Sequence, residues 1–223
     1  MILASPIIFL SKILLWATYL VQAAQIFLIS VPSAGSTLEM LSKVRGAGGP
    51  SQYHPASEVL KSKLKTGLLA TATVMMMVIF FLPLAVEWAP GIADYLGRFY
   101  PQTPVSFRVA SIILLCGGNL VSTLGACTLK KQVAFHAFGE TRTLYAGGIY
   151  RRVRNPITLG SAAVYAGFFF YLPSVVLAVG FGIFALNSEL RVRMEEIYLQ
   201  RAFGDRYRHY KRTTGKYWPK IYS

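Results

Sequence analysis

Charge is scarce in this 223-residue chain, and acid is scarcest: Asp and Glu total 9 against 23 Lys and Arg. With 14% of residues charged and 54% hydrophobic, an ordinary soluble domain is excluded. Cysteine is nearly missing. Cys116 and Cys127 lie in one apolar segment, which suits small core residues and not a disulfide framework or metal cluster. The histidines His54, His136 and His209 stand far apart, so no His/Cys group has metal-ligand spacing and no metal is expected. There is no Walker loop, no Gly-x-Gly-x-x-Gly after a strand, and no internal repeat or low-complexity segment.

What the chain does have is long apolar runs, and these predict an all-α, multi-pass membrane protein. Segment one covers roughly 2 to 31. It is longer than a secretory h-region and lacks a convincing cleavage site, so it is expected to stay as a membrane helix. A polar connection, 33 to 65, leads to segment two at about 66 to 86. The following loop places Glu87, Asp94 and Arg98 among prolines and aromatics, a composition suited to a membrane–water interface. Segment three runs from about 105 to 129. From Ile157 to Leu190 the chain is apolar apart from the break at Pro173. One helix of that length would reach about 50 Å, well beyond a hydrocarbon core of about 30 Å. Two helices turning at Leu172-Pro173-Ser174 fit better, giving about five membrane helices with a C-terminal hairpin. The chain thus divides into N-terminal membrane helices, 1–129, and a region of loop, hairpin and basic tail, 130–223.

A formal charge of +14 would suggest nucleic acid in a soluble protein. Here the position of the charges explains it, and no nucleic-acid partner is expected. Five Lys and Arg lie in the first connection, six between Lys130 and Arg154, and nine from Arg191 onward. Five alternating helices put all three groups on one side, and the positive-inside rule makes that side cytosolic.

The stretch from Arg142 to Gly160 joins two apolar segments and carries four arginines, Gly147-Gly148 and Pro156. The glycine pair permits a turn with positive φ, and Pro156 suits the first turn of a helix. Such a loop feeds a helix N-terminus at the membrane surface, where free backbone N–H groups and arginines make a natural pocket for carboxylate or phosphate. A loop that only fixes topology is the plainer reading of the same arginines. Further on, Arg191 and Glu195 are four apart and share a helix face, as an ordinary surface pair also would.

The residue order is more telling. Gly148-Ile-Tyr150, Arg154-Asn-Pro156 and Gly160 resemble the Gly-x-Tyr…Arg-His-Pro-x-Tyr-x-Gly signature of the isoprenylcysteine carboxyl methyltransferase family. Arg191 with Glu195-Glu196, then Phe203-Gly204-Asp205-Arg206-Tyr207 and Tyr210, match a second block. The likeness covers Arg142 to Pro219, about a third of the chain. It implies an integral membrane methyltransferase using S-adenosylmethionine and a lipophilic acceptor that enters from the bilayer. By the resemblance, Thr143, Leu144, Tyr145 and Tyr150 contact the cofactor, and Asn155, Pro156, Ile157 and Thr158 complete its wall. Glu195 then meets the cationic end of the cofactor and Arg191 meets the acceptor. Gln132 and His136 lie where a polar cofactor ligand would fall. The membrane would be the endoplasmic reticulum in a eukaryote or the inner membrane in a bacterium, with the site facing the cytosol.

Two departures stand out: Asn155 and Thr158 replace the family's His and Tyr. Asn does not ionise near neutral pH, and Thr offers no ring to pack on adenine. The expected acceptor is an isoprenylated cysteine carboxylate. The alternatives are a membrane lipid amine or hydrophobic metabolite, and, in another class, a non-catalytic protein that keeps the fold.

Overall fold

The computed structural model describes residues 6–25, 63–136, 144 and 146–220, and among them there are helices and no strands. Helix α1 is described over Pro6–Gln25. Helix α2 is Lys63–Trp88, α3 Val105–His136, α4 Pro156–Tyr171, α5 Val175–Phe203 and α6 Asp205–Thr213. Three apolar stretches, Pro6–Gln25, Val105–Leu129 and Val175–Ile197, are long and apolar enough to cross a membrane. Met77–Trp88 and Pro156–Tyr171 are shorter apolar helical stretches. The protein is an all-α membrane protein, with five apolar helical stretches among the described residues.

Local chemistry sets most boundaries. Pro156 opens α4, as its fixed φ and missing N–H favour. The helix has 16 residues, about 24 Å at 1.5 Å each, and stops short of the far side of the bilayer. Pro173 prevents its continuation, and Ser174 caps α5 by accepting from Leu177 N–H. The turn predicted at Leu172-Pro173-Ser174 is therefore present. The apolar segment expected at about 105 to 129 is present as Val105–Leu129, and the helix that carries it continues to His136. Leaving the membrane does not stop a helix, and Lys130-Lys131-Gln132 are good helix formers.

Helices α3 and α4 pack closely because both are built of small residues where they cross. A Cβ on Gly160 would stand 2.5 Å from Gly118 O and from Ser122 N, and one on Gly118 would stand 2.6 Å from Gly160 O. Gly125 meets Ile157 and Pro156, and Gly167 meets Leu115, along the same seam. Close backbone approach of this kind substitutes for the hydrophobic drive that lipid does not supply. Ser111 Oγ adds a hydrogen bond to Gly167 O at 2.9 Å.

Helix α1 joins α3 by side-chain amides and hydroxyls within the apolar layer. Gln22 donates to Asn119 at 2.9 Å, Asn119 to Thr18 at 2.8 Å, Gln25 to Thr123 at 2.7 Å, and Ser122 to Gln25 at 3.0 Å. Between them lies a core containing Leu15, Leu115, Val164 and Phe168 with an aromatic cluster of Tyr19, Phe80, Phe81 and Tyr165. Pro83 inside α2 has no N–H to offer Ile79 O, which opens the helix locally. Tyr19 hydroxyl donates to the neighbouring Phe80 O at 2.6 Å.

At one end of the bundle, a 3-10 turn over Pro90–Leu96 closes at Gly97, whose φ is +63°. Val175 N–H donates to Gly97 O and Phe99 N–H to Pro173 O, each at 3.0 Å, which staples the α2–α3 connection to the hairpin turn. The opposite end carries the start of α4, the end of α5 and the tail.

Candidate active site

At that opposite end the two signature blocks meet. Gly148 adopts φ +55° and starts a 3-10 turn, Gly148–Arg151, so the glycine pair does supply the positive-φ turn expected of it. The chain then runs extended beside the tail. Arg154 N–H donates to Gly215 O at 2.9 Å and Asn155 N–H to Lys216 O at 3.2 Å. A Cβ on Gly215 would collide with Trp218 backbone, so only glycine fits the tail at this contact.

Arg154 is the central side chain, with only 7% of it exposed. Its Nε and Nη2 donate to Glu196 Oε1 at 3.2 and 2.8 Å, across 42 residues of sequence. Its Nη1 donates to Lys211 O at 3.2 Å and to Thr214 O. Glu196 Oε2 takes Lys211 Nζ at 3.0 Å. A planar guanidinium with several fixed donors can bind helix α5 and the tail at once, which a lysine cannot do. The pair is buried enough that removing one partner would leave the other uncompensated.

Gly204, with φ +53°, ends α5 and redirects the chain into α6. Tyr207 and Tyr210 form the inner face of α6, 1% and 7% exposed. Tyr210 hydroxyl donates to Tyr150 O at 2.6 Å, and burial pushes its pKa up to about 12, with nearby Arg154 opposing. Burial likewise pushes the Tyr207 hydroxyl upward, so both remain protonated donors near neutral pH. A second anchor lies alongside. Glu189 accepts from Lys216 Nζ at 2.7 Å, Tyr217 hydroxyl at 2.9 Å and Arg193 Nε at 2.7 Å.

The expected site residues fall unevenly around this cluster. Tyr150 is joined to it through its carbonyl, and Asn155 Nδ2 donates to Lys216 O at 3.2 Å. Asn155 is thus the residue before α4 yet does not cap it with its side chain, which leaves the first-turn N–H groups without that acceptor. Pro156 and Ile157 pack on Gly125 of α3, while Thr158 is half-buried. Arg191 and Glu195 are both exposed and share one face of α5, beside the buried Val192–Glu196 face. Leu144 is half-buried. Thr143 and Tyr145 lie outside the described residues, as do Arg142 and the side chains of Gln132 and His136.

Sequence reasoning missed the structural part of Arg154, Glu196, Glu189 and Lys211. The spacing Glu189, Val192, Glu196 is a helical stripe facing a basic tail, and that was the available signal.

Residues 107–206 match the family model for phospholipid methyltransferase. This region is similar to the phospholipid methyltransferase family. The isoprenylcysteine carboxyl methyltransferases fall in the same family. The match takes in nearly all of α3, the small-residue seam, the signature loop and all of α5. The seam's Gly160 is also the last residue of the first signature block, so that glycine has a packing reason to be there. No curated protein matches the chain. Together with the apolar helices, the family match supports a membrane methyltransferase of the phospholipid and isoprenylcysteine type.

Proposed function

We propose that the protein is an S-adenosylmethionine-dependent methyltransferase whose acceptor is a lipophilic carboxylate, an isoprenylated cysteine. The observation that supports this most is the meeting of the two signature blocks at one bundle end, tied by Arg154–Glu196. That contact fixes the loop one residue away from Glu195 and one turn from Arg191 on α5.

The residues on hand fit the cofactor's chemistry. Glu195 offers a carboxylate to its cationic end, and the uncapped first turn of α4 offers N–H groups to its amino-acid carboxylate. Tyr150, Leu144 and the Asn155–Thr158 turn supply a mixed apolar and polar wall, to which we add Thr143 and Tyr145. The cofactor would supply a methyl group on a sulfonium for transfer to the carboxylate oxygen, with the electron pair of the broken C–S bond left on sulfur. No proton has to move, since the carboxylate is already ionised near neutral pH. Arg191 can hold that carboxylate with two parallel N–H bonds, fixing it in line while its apolar chain lies among the exposed side chains of α5.

A second reading, methylation of a phospholipid amine, is favoured by Asn155 in place of the family histidine and by the description of the matched family. An amine must lose a proton, so that reaction needs a base where the carboxylate reaction needs none. Incubation with methyl-labelled donor separates the two. We expect label in a base-labile ester of farnesyl-cysteine, and label in phosphatidylethanolamine alone would replace the first reading by the second. Transfer to neither would reject both.

A further inference from the structure

The end of the bundle away from Arg154 holds a second charged cluster, near the ends of the apolar helices. Lys12 of α1 pairs with Glu87 of α2 at 2.7 Å. Tyr171, the last residue of α4, donates its hydroxyl to the other oxygen of Glu87 at 2.5 Å. Arg108 of α3 lies over the Tyr171 ring, 4.5 Å from its centre, and its Nη1 reaches Ser11 Oγ at 3.4 Å. Four helices are tied together by this ring of contacts.

The charges in it do not balance. Glu87 has both oxygens engaged, one by Lys12 and one by Tyr171, and Arg108, which also bonds the Tyr171 side chain, shares that carboxylate's charge at longer range, so one acid serves two cations. Its Nε is buried and has no hydrogen-bond partner among the described residues. Between Thr66 and His136 the sequence has one other acid, Asp94, which is exposed, and neither 1–25 nor 156–188 contains any. Two cations sharing one acid at membrane depth leave an excess positive charge, which is costly and ordinarily pairs or marks a binding place. The surroundings indicate what the counter-ion would be. Trp16 is one turn from Lys12, Trp88 follows Glu87, and their rings pack edge to face at 6.2 Å. Trp88 is 76% exposed. Tryptophans of this kind sit at the level of lipid head groups.

We propose that Arg108, with Ser11 and Lys12 beside it, binds the phosphate of an anionic phospholipid from the leaflet at this end. The shared chemistry is a phosphate oxyanion with one negative charge to neutralise. A lipid is favoured over free phosphate because the site lies among apolar, exposed helix faces that acyl chains can cover. Binding here is independent of the methyltransferase reading, which concerns the opposite end.

The test uses the full chain, purified in mild detergent and stripped of lipid. Phosphatidylglycerol, phosphatidylcholine and inorganic phosphate are added separately, and bound lipid is counted by native mass spectrometry alongside thermal unfolding. We expect one tightly held phosphatidylglycerol and a raised Tm, with phosphatidylcholine weaker and inorganic phosphate without effect at equal concentration. Arg108→Gln should weaken that lipid by about tenfold or more. Without lipid, the same variant should change Tm only slightly, because losing the contacts to Tyr171 and Ser11 is offset by removing the excess cation. Lys12→Gln provides a second check: it frees Glu87 to face Arg108, and lipid binding should fall there too. An equal response to inorganic phosphate would overturn the lipid assignment. No response to any of the three, or unchanged lipid binding in Arg108→Gln, would overturn the site. If Arg108→Gln does not fold, the parent's three-way comparison and Lys12→Gln still decide.

Discussion

Neighbouring glutamates at the end of α5 have opposite environments, and that contrast makes residue-level predictions. Glu196 is held by Arg154 and Lys211 and is largely buried, whereas Glu195 is exposed one residue earlier. Glu196→Gln should therefore cost stability, on the order of 3 kcal/mol, by leaving Arg154 without its counter-charge. Denaturant unfolding in detergent would read this loss, and a change below about 0.5 kcal/mol would mean that the pair is solvated like a surface bridge. Glu195→Gln should leave stability almost unchanged and weaken cofactor binding. Arg191→Lys should keep cofactor affinity and lower turnover, since a point charge cannot hold a carboxylate bidentately. If both Arg191 and Glu195 variants keep normal binding and turnover, these residues are surface charge and the site assignment fails. Tyr210 gives a pH signature. Its folded pKa lies near 12 against an ordinary value of 10, so the unfolded chain loses its proton first. Its stabilising contribution is full below about pH 10 and declines toward pH 12, and Tyr210→Phe should flatten that part of the stability curve.

The helices themselves were largely legible from the amino acids. Apolar length marks the spans, Pro173 marks the hairpin turn, and Gly148 and Gly204 take the positive φ values that their turns require. Legibility ended where the outcome depends on a distant partner. Which glutamate turns inward is decided by a tail that docks from beyond Gly204, and local spacing treats Glu195 and Glu196 alike. The amides Gln22, Gln25 and Asn119 likewise read as tolerated interruptions until α1 is seen against α3. The small-residue seam gives a prediction at this scale. Gly160→Ala would press a methyl against Gly118 and Ser122 backbone atoms, which cannot move aside separately from their helix. A loss of about 1–3 kcal/mol is expected. Gly182→Ala serves as the control: nothing lies within 4 Å of its Cβ, and it should be neutral or mildly stabilising.

Across the whole molecule, the two ends differ in charge and in work. One end carries Lys12, Glu87, Arg98 and Arg108 near interfacial aromatics; the other carries Arg151, Arg152, Arg154 and the basic α6. We propose, from alternation of five helices and the positive-inside rule, that the connection 33–65 and Arg151 share the cytosolic side. Single cysteines at Ser51 and at Asp94 should label from opposite sides of sealed vesicles, and labelling of both from one side would break the topology. The account as a whole rests on a cofactor pocket at the Arg154 end. Calorimetric titration of the purified full chain with S-adenosylhomocysteine tests it most directly. Saturable one-to-one binding, weakened in Glu195→Gln, is the predicted result. Folded protein that takes up no S-adenosylhomocysteine would contradict it.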